Sequence, residues 1–152
     1  MTAVSKDPKI PYWHVWADDE GVTHQTRCAL SGFKSESVGG DAAPEWIKTL
    51  LTSEATLQFY IQPVGWVGEW HKNPKPQWLV PLTGRWFVET MDGQRVEMGP
   101  GEVSFGGDQT SKPDAQGRCG HRSGTIGDEL LVLMAFQLEG ERWTDIKLDA
   151  FA

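Results

Sequence analysis

Between residues 57 and 63, Leu57, Phe59 and Ile61 interleave with Gln58, Tyr60 and Gln62. This is the two-residue period of a strand with one buried face and one wet face. Strand-like runs follow at 77–82, 85–90, 95–98 and 102–105, separated by Thr83-Gly84, Met91-Asp92-Gly93 and Gly99-Pro100-Gly101. Asp92-Gly93 between two such runs is a hairpin signal. The unbroken apolar run at 130–136 reads as a central strand. Upstream, Tyr12 to Trp16 alternates and reads as a strand that covers a sheet or a neighbouring subunit. A turn at Asp18–Gly21 and a second strand over 26–34 come next, then a Ser/Gly-rich loop through Asp41. Residues 44–51, with Pro44 at the start and Glu45 in the first turn, predict a short helix, with a loop as the alternative.

Many short strands at turn spacings of about 8–12 residues predict an all-β sandwich or barrel. A chain of 152 residues suits one compact domain. Within it, residues 1–54 form an N-terminal arm, strands and a short helix that pack on a barrel made by residues 55–152.

Charge narrows the partners. The net charge is −7 and no basic stripe exists, which argues against nucleic acid. No apolar run approaches the length of a membrane span and no leader pattern is visible, so a cytoplasmic protein is expected. Cys28 and Cys119 cannot make a framework of several bridges and read as two reduced thiols. The eight tryptophans suggest an aromatic-lined interior or interface.

The chemistry concentrates in residues 65–84. Gly65, His71, Gln77 and Gly84 stand at the offsets of G-x5-H-x-H-x3-4-E-x6-G, with Asn73 in the place of the second His and Gln77 in the place of the Glu. A second, looser match runs from Gly101 through Gly107, at a position where Pro is usual, to His121 and Thr125. In these motifs, over about residues 55–138, the chain resembles the cupin superfamily in its small single-domain form. The resemblance implies a double-stranded β-helix, or jelly-roll barrel, with at most one or two short helices. It implies a mononuclear divalent transition metal (iron, zinc, nickel or manganese) held by His71, Asn73, Gln77 and His121. It also implies a homodimer.

Strand alternation places Glu69, His71, Asn73 and Gln77 on one face, although Pro74 and Pro76 interrupt the ladder. Two imidazoles and two amides bring no charge to offset a dication, and amide oxygens are poor donors to transition metals. Glu69 from the strand, or Asp108 from the loop, would supply the missing carboxylate. The alternative leaves His71 and His121 as hydrogen-bonded polar residues in a barrel mouth. Either Tyr60 and Gln62 or Phe59 and Ile61 face the cavity, depending on register. Trp70 and Trp78 have the opposite parity to His71 and are expected outside the barrel. The long polar segment 106–121 is expected to form a lid ending on His121, with Gly107 and Gly120 as hinges. Arg118 and Arg122 are candidates for an anionic substrate or are simply solvated.

Two functions follow as expectations. One is a metal-dependent enzyme of dioxygenase, isomerase or lyase type, with Glu69 as general base and Tyr60 as acid or oxyanion donor. The other is a non-catalytic small-molecule binder or sensor whose site holds no metal.

Overall fold

The computed structural model describes residues 6–50, 54–143 and 146–152. These residues form eleven strands. The first two are β1 (Ile10–Ala17) and β2 (Thr23–Leu30), followed by a small pair, β3 (Lys34–Glu36) and β4 (Glu45–Ile47). β5 (Ala55–Gln62), β6 (Gln77–Thr83), β7 (Arg85–Thr90) and β8 (Arg95–Met98) come next. β9 (Val103–Gly107), β10 (His121–Ile126) and β11 (Leu131–Leu138) complete the set. A 3-10 turn at Glu141–Trp143 is the one helical element among the described residues, and none is long and apolar enough to cross a membrane.

A six-stranded sheet, in the order β2-β1-β9-β6-β11-β5, faces a three-stranded sheet, β10-β7-β8. The protein is thus a β-sandwich with mixed sheets, because β1 and β9 run parallel while the other pairs are antiparallel. Residues 66–71 extend the smaller sheet through bridges from Val67 to Gly124 and from His71 to His121. The core lies between the layers, where Val15, Leu79, Leu131 and Leu133 meet Trp86, Val88, Val96 and Met98. Each such side chain contributes on the order of 1.5–3 kcal/mol when removed from water. A second cluster, of Tyr12, Trp78, Phe105, Leu138 and Phe151, forms on the outer side of the larger sheet, where the C-terminal segment covers it. Trp78 is therefore outside the sandwich interior, as its parity predicts, yet only 6 % exposed.

Three expectations change. Residues 45–47 form a strand paired with residues 34–36 instead of a helix, and Leu51 lies outside the described residues. A helix this short is marginal alone, and Glu45 and Trp46 stay exposed, so no buried face rewards it. β1 lies inside the sheet between β2 and β9, so both of its edges are used and it cannot pair with another subunit. For the same reason β1 and β2 are part of the main sheet, not an arm laid on it. The hairpin at Asp92-Gly93 forms as expected, with Gly93 at φ +86°, where a side chain would be strained.

Candidate functional site

The site begins with one backbone pairing. His71 N–H donates to the His121 carbonyl and His121 N–H donates to the His71 carbonyl, both at 2.9 Å. Residues paired this way send their side chains to the same face, and the two imidazole centroids lie 4.7 Å apart. Gly120 makes the approach possible. It sits at φ +77°, and a Cβ there would fall 2.1 Å from the His71 carbonyl oxygen.

Behind His121 lies Asp108, a fully buried carboxylate at the start of the long loop. His121 Nδ1 donates to Asp108 Oδ2 at 2.7 Å. The backbone N–H and the Nδ2 of Asn73 both donate to Asp108 Oδ1 at 2.9 Å. Burial alone would push the Asp108 carboxyl up. The bond and charge interaction with His121 and the two donations from Asn73 outweigh that, holding it below the usual carboxylate range. Asp108 is therefore a buried anion with three donors around it.

The amides continue the chain. Gln77 Nε2 donates to Asn73 Oδ1 at 2.6 Å, and Gln137 Nε2 donates to Gln77 Oε1 at 3.2 Å. Gln137 also reaches the Tyr60 hydroxyl at 3.4 Å, and that hydroxyl donates to Gln58 Oε1 at 2.6 Å. Burial pushes the Tyr60 hydroxyl pKa up, with the Gln137 bond pulling the other way. Asn73 is packed so closely over Gly106 that a Cβ there would lie 2.4 Å from its amide. Gln137, from β11, is a contributor that the motif spacing does not reveal.

The imidazoles, the Asn73 and Gln77 amides and Tyr60 line one side of a cavity of about 310 Å³, outside whose wall Asp108 and Gln137 lie, and whose other walls include Trp66, Trp86, Ser123 and Leu133. His71, Asn73, Gln77, His121 and Tyr60 all line it, as does Gln62. Parity in β5 is thereby decided: Tyr60 and Gln62 face in, while Phe59 and Ile61 face out. Glu69 does not face in. Its side chain is exposed and outside the cavity wall, and only its carbonyl takes part, accepting from His71 Nδ1 at 2.8 Å. Residues 66–71 pair with β10 as two isolated bridges, at Val67 and His71, and not as a continuous strand, so strand parity does not carry across them.

No protein-family model and no curated protein matches the chain. What the site can do is read from its geometry.

Both histidines are tied at Nδ1 to an acceptor, a carbonyl for His71 and a carboxylate for His121. Each neutral ring therefore carries its proton on Nδ1 and leaves the Nε2 lone pair for whatever occupies the cavity. Asn73 and Gln77 differ, because each side-chain oxygen already accepts from a neighbouring amide. Among the described residues no group of three or more His, Cys, Asp or Glu converges, and no carboxylate lines the cavity. A complete four-donor metal set of the family pattern does not fit these residues. A two-imidazole set with a carboxylate behind it does.

The segment expected as a lid is fastened to the body. Ser111 Oγ accepts from the Gly120 N–H at 2.8 Å and donates to the Gly21 carbonyl at 2.9 Å. Thr23 Oγ1 donates to the Gly120 carbonyl at 2.6 Å. Asp114 Oδ1 caps its own turn by accepting from the N–H groups of Gln116 and Arg118. The loop's contribution is Asp108, delivered to the back of His121. Arg118 and Arg122 lie away from the cavity, paired with Asp114 at 2.7 Å and Glu89 at 2.8 Å and flanking the Trp70 ring.

Proposed function

We propose that the chain is a cupin-like protein whose sandwich interior forms a barrel-type cavity for a small, uncharged, polar molecule. The observation that carries this is the pair of Nδ1-anchored imidazoles, His71 and His121, opening on one cavity whose lining holds no charged side chain. Trp86 Nε1 and Gln62 Oε1, a donor and an acceptor, have no protein partner, but both atoms are shut off from the cavity space and offer nothing to its occupant in this structure. Trp66 and Trp86 supply apolar walls.

In this reading the base is His121 in place of Glu69. Asp108 fixes the Nδ1–H tautomer and offsets the charge that the ring acquires when Nε2 takes a proton. A proton α to a carbonyl is the natural target, which places isomerisation or elimination ahead of oxygen chemistry. Without turnover, the same groups make a binding or sensing pocket. A divalent transition metal is the second reading, favoured by the two bare Nε2 nitrogens and by the recurrent carboxylate–histidine pairing behind metal ligands. It would be held by His71 and His121, with Asn73 and Gln77 positioning Asp108, and would supply Lewis acidity.

Elemental analysis of protein purified without chelator or His-tag, followed by thermal denaturation with hydroxyacetone, glyceraldehyde, lactate and glycerol phosphate, separates these readings. The expected result is no stoichiometric metal and a raised Tm with the uncharged compounds only, abolished in His121→Ala. One metal per chain, lost in His71→Ala, would put the metal reading first. A Tm raised only by the anions would overturn the uncharged-ligand reading.

A further inference from the structure

One hydroxyl on the cavity wall is unspent. Along β10, His121, Ser123 and Thr125 stand at two-residue steps, so they share a face of the strand, and all three are buried. Thr125 Oγ1 donates to the Gln62 carbonyl at 3.3 Å, and the Tyr60 hydroxyl donates to Gln58 Oε1 at 2.6 Å. Ser123 lines the cavity with both imidazoles, and among the described residues its Oγ has no hydrogen-bond partner. Unlike Trp86 Nε1 and Gln62 Oε1, it is not shut off from the cavity space. Its backbone is held on both sides. Ser123 is the register partner of Val88 in β7, and its carbonyl accepts from the Gly68 N–H at 2.9 Å.

The chemistry of the proposed base calls for such a group. When His121 Nε2 takes a proton α to a carbonyl, the C–H electron pair forms a C=C bond and the carbonyl π pair moves to oxygen. The product is an enolate in a cavity whose lining carries no cationic side chain, and a hydrogen-bond donor at its oxygen lowers the barrier. Neither imidazole offers that donor, because each neutral ring keeps its proton on Nδ1. Residues two apart on a strand stand about 6.5 Å apart, a span that a small carbonyl compound bridges with one hydrogen-bond length at each end. We propose that Ser123 is the oxyanion donor of this site, in the role expected of Tyr60. The proposal rests on the reading of His121 as the base. Return of a proton from the imidazolium to carbon restores the carbonyl, and between the two steps that proton exchanges with solvent.

Exchange at carbon tests this without requiring a net product. Hydroxyacetone is incubated in deuterium oxide with wild type, Ser123→Ala, Ser123→Thr, Tyr60→Phe and Thr125→Val, and loss of its methylene signal is followed by proton NMR. The expected result is exchange in wild type and a kcat lower by about a hundredfold in Ser123→Ala, with KM little changed. Ser123→Thr keeps the hydroxyl and should recover most of the rate. Thr125→Val, whose hydroxyl is spent on Gln62, should match wild type. A serine that only filled space would not separate kcat from KM, nor be rescued by threonine. Undiminished exchange in Ser123→Ala, or a larger loss in Tyr60→Phe, would overturn the assignment and leave His121 as the base. No exchange in wild type would overturn the base and the donor together, whether or not hydroxyacetone raises the Tm.

Discussion

His14 and His121 are both shut away from water, at 0 % and 5 % exposure, and they have opposite chemistry. His14, on the outer side of β1, packs edge-on against Phe105 with ring centroids 5.0 Å apart, and neither ring nitrogen has a partner. Burial lowers its pKa to about 4, so it is a neutral filler. His121 is just as enclosed, but Asp108 holds its Nδ1 and its Nε2 is left to the cavity. Burial alone does not make an imidazole reactive. The oriented partner does, and that partner is a fully buried carboxylate brought in by the loop.

The largest way to break this comparison is Asp108→Ala. It leaves the Asn73 N–H, the Asn73 Nδ2 and the His121 Nδ1–H without acceptors in a buried site, and a loss of about 4 kcal/mol is expected in urea unfolding. Asp108→Asn keeps the volume, removes the charge and offers an amide. It should lose less stability while releasing the Nδ1–H tautomer of His121, visible in imidazole nitrogen chemical shifts. Unchanged shifts would mean that Asp108 does not set the tautomer.

Acid gives the next effect, and it belongs to His14. Its folded pKa of about 4 lies below the ordinary imidazole value of 6.5, so the unfolded chain binds the extra proton. The corresponding stability is fully present above pH 6.5 and is lost as pH falls toward about 4, a change of about 3 kcal/mol. Asp108, held low, adds to the fall only below the ordinary carboxylate range. Unfolding free energies from pH 7 to 4 should therefore decline in wild type and decline much less in His14→Leu. Equal slopes would show that His14 is not the group responsible.

Two smaller effects sharpen the contrast. At neutral pH, His14→Leu should stabilise by about 1 kcal/mol, because it removes two unpartnered ring nitrogens and keeps an apolar filler. Gln137→Leu, at the far end of the amide chain, should cost about 1 kcal/mol or less and leave the His121 tautomer intact. A tautomer change in that variant would mean that orientation passes along the whole chain from Gln137 to Asp108.

Much of this was legible in the chain because local rules govern it. Alternation at 57–63, the Asp92-Gly93 turn and the apolar run at 130–136 fix strands through backbone geometry that needs no distant partner. The motif resemblance gathered His71, Asn73, Gln77 and His121, and the structure places all four on one cavity. Glu69 was misread because parity holds only while a strand continues, and residues 66–71 meet β10 at two isolated bridges. The helix at 44–51 failed because end signals do not supply a buried face, whereas pairing with 34–36 satisfies the same backbone groups.

The sequence by itself therefore determined the strand pattern, which depends on residue type and short-range spacing, and its motif resemblance named four of the polar groups at the site. Only the tertiary structure decided which of those groups are free. Asp108, Asn73, Gln77 and Gln137 come from separate segments, and their hydrogen bonds exist only once the loop is fastened and the sheets close. Exposure of Leu57, Phe59 and Ile61 was decided in the same way, because an alternating strand has two faces and only packing chooses which one is covered.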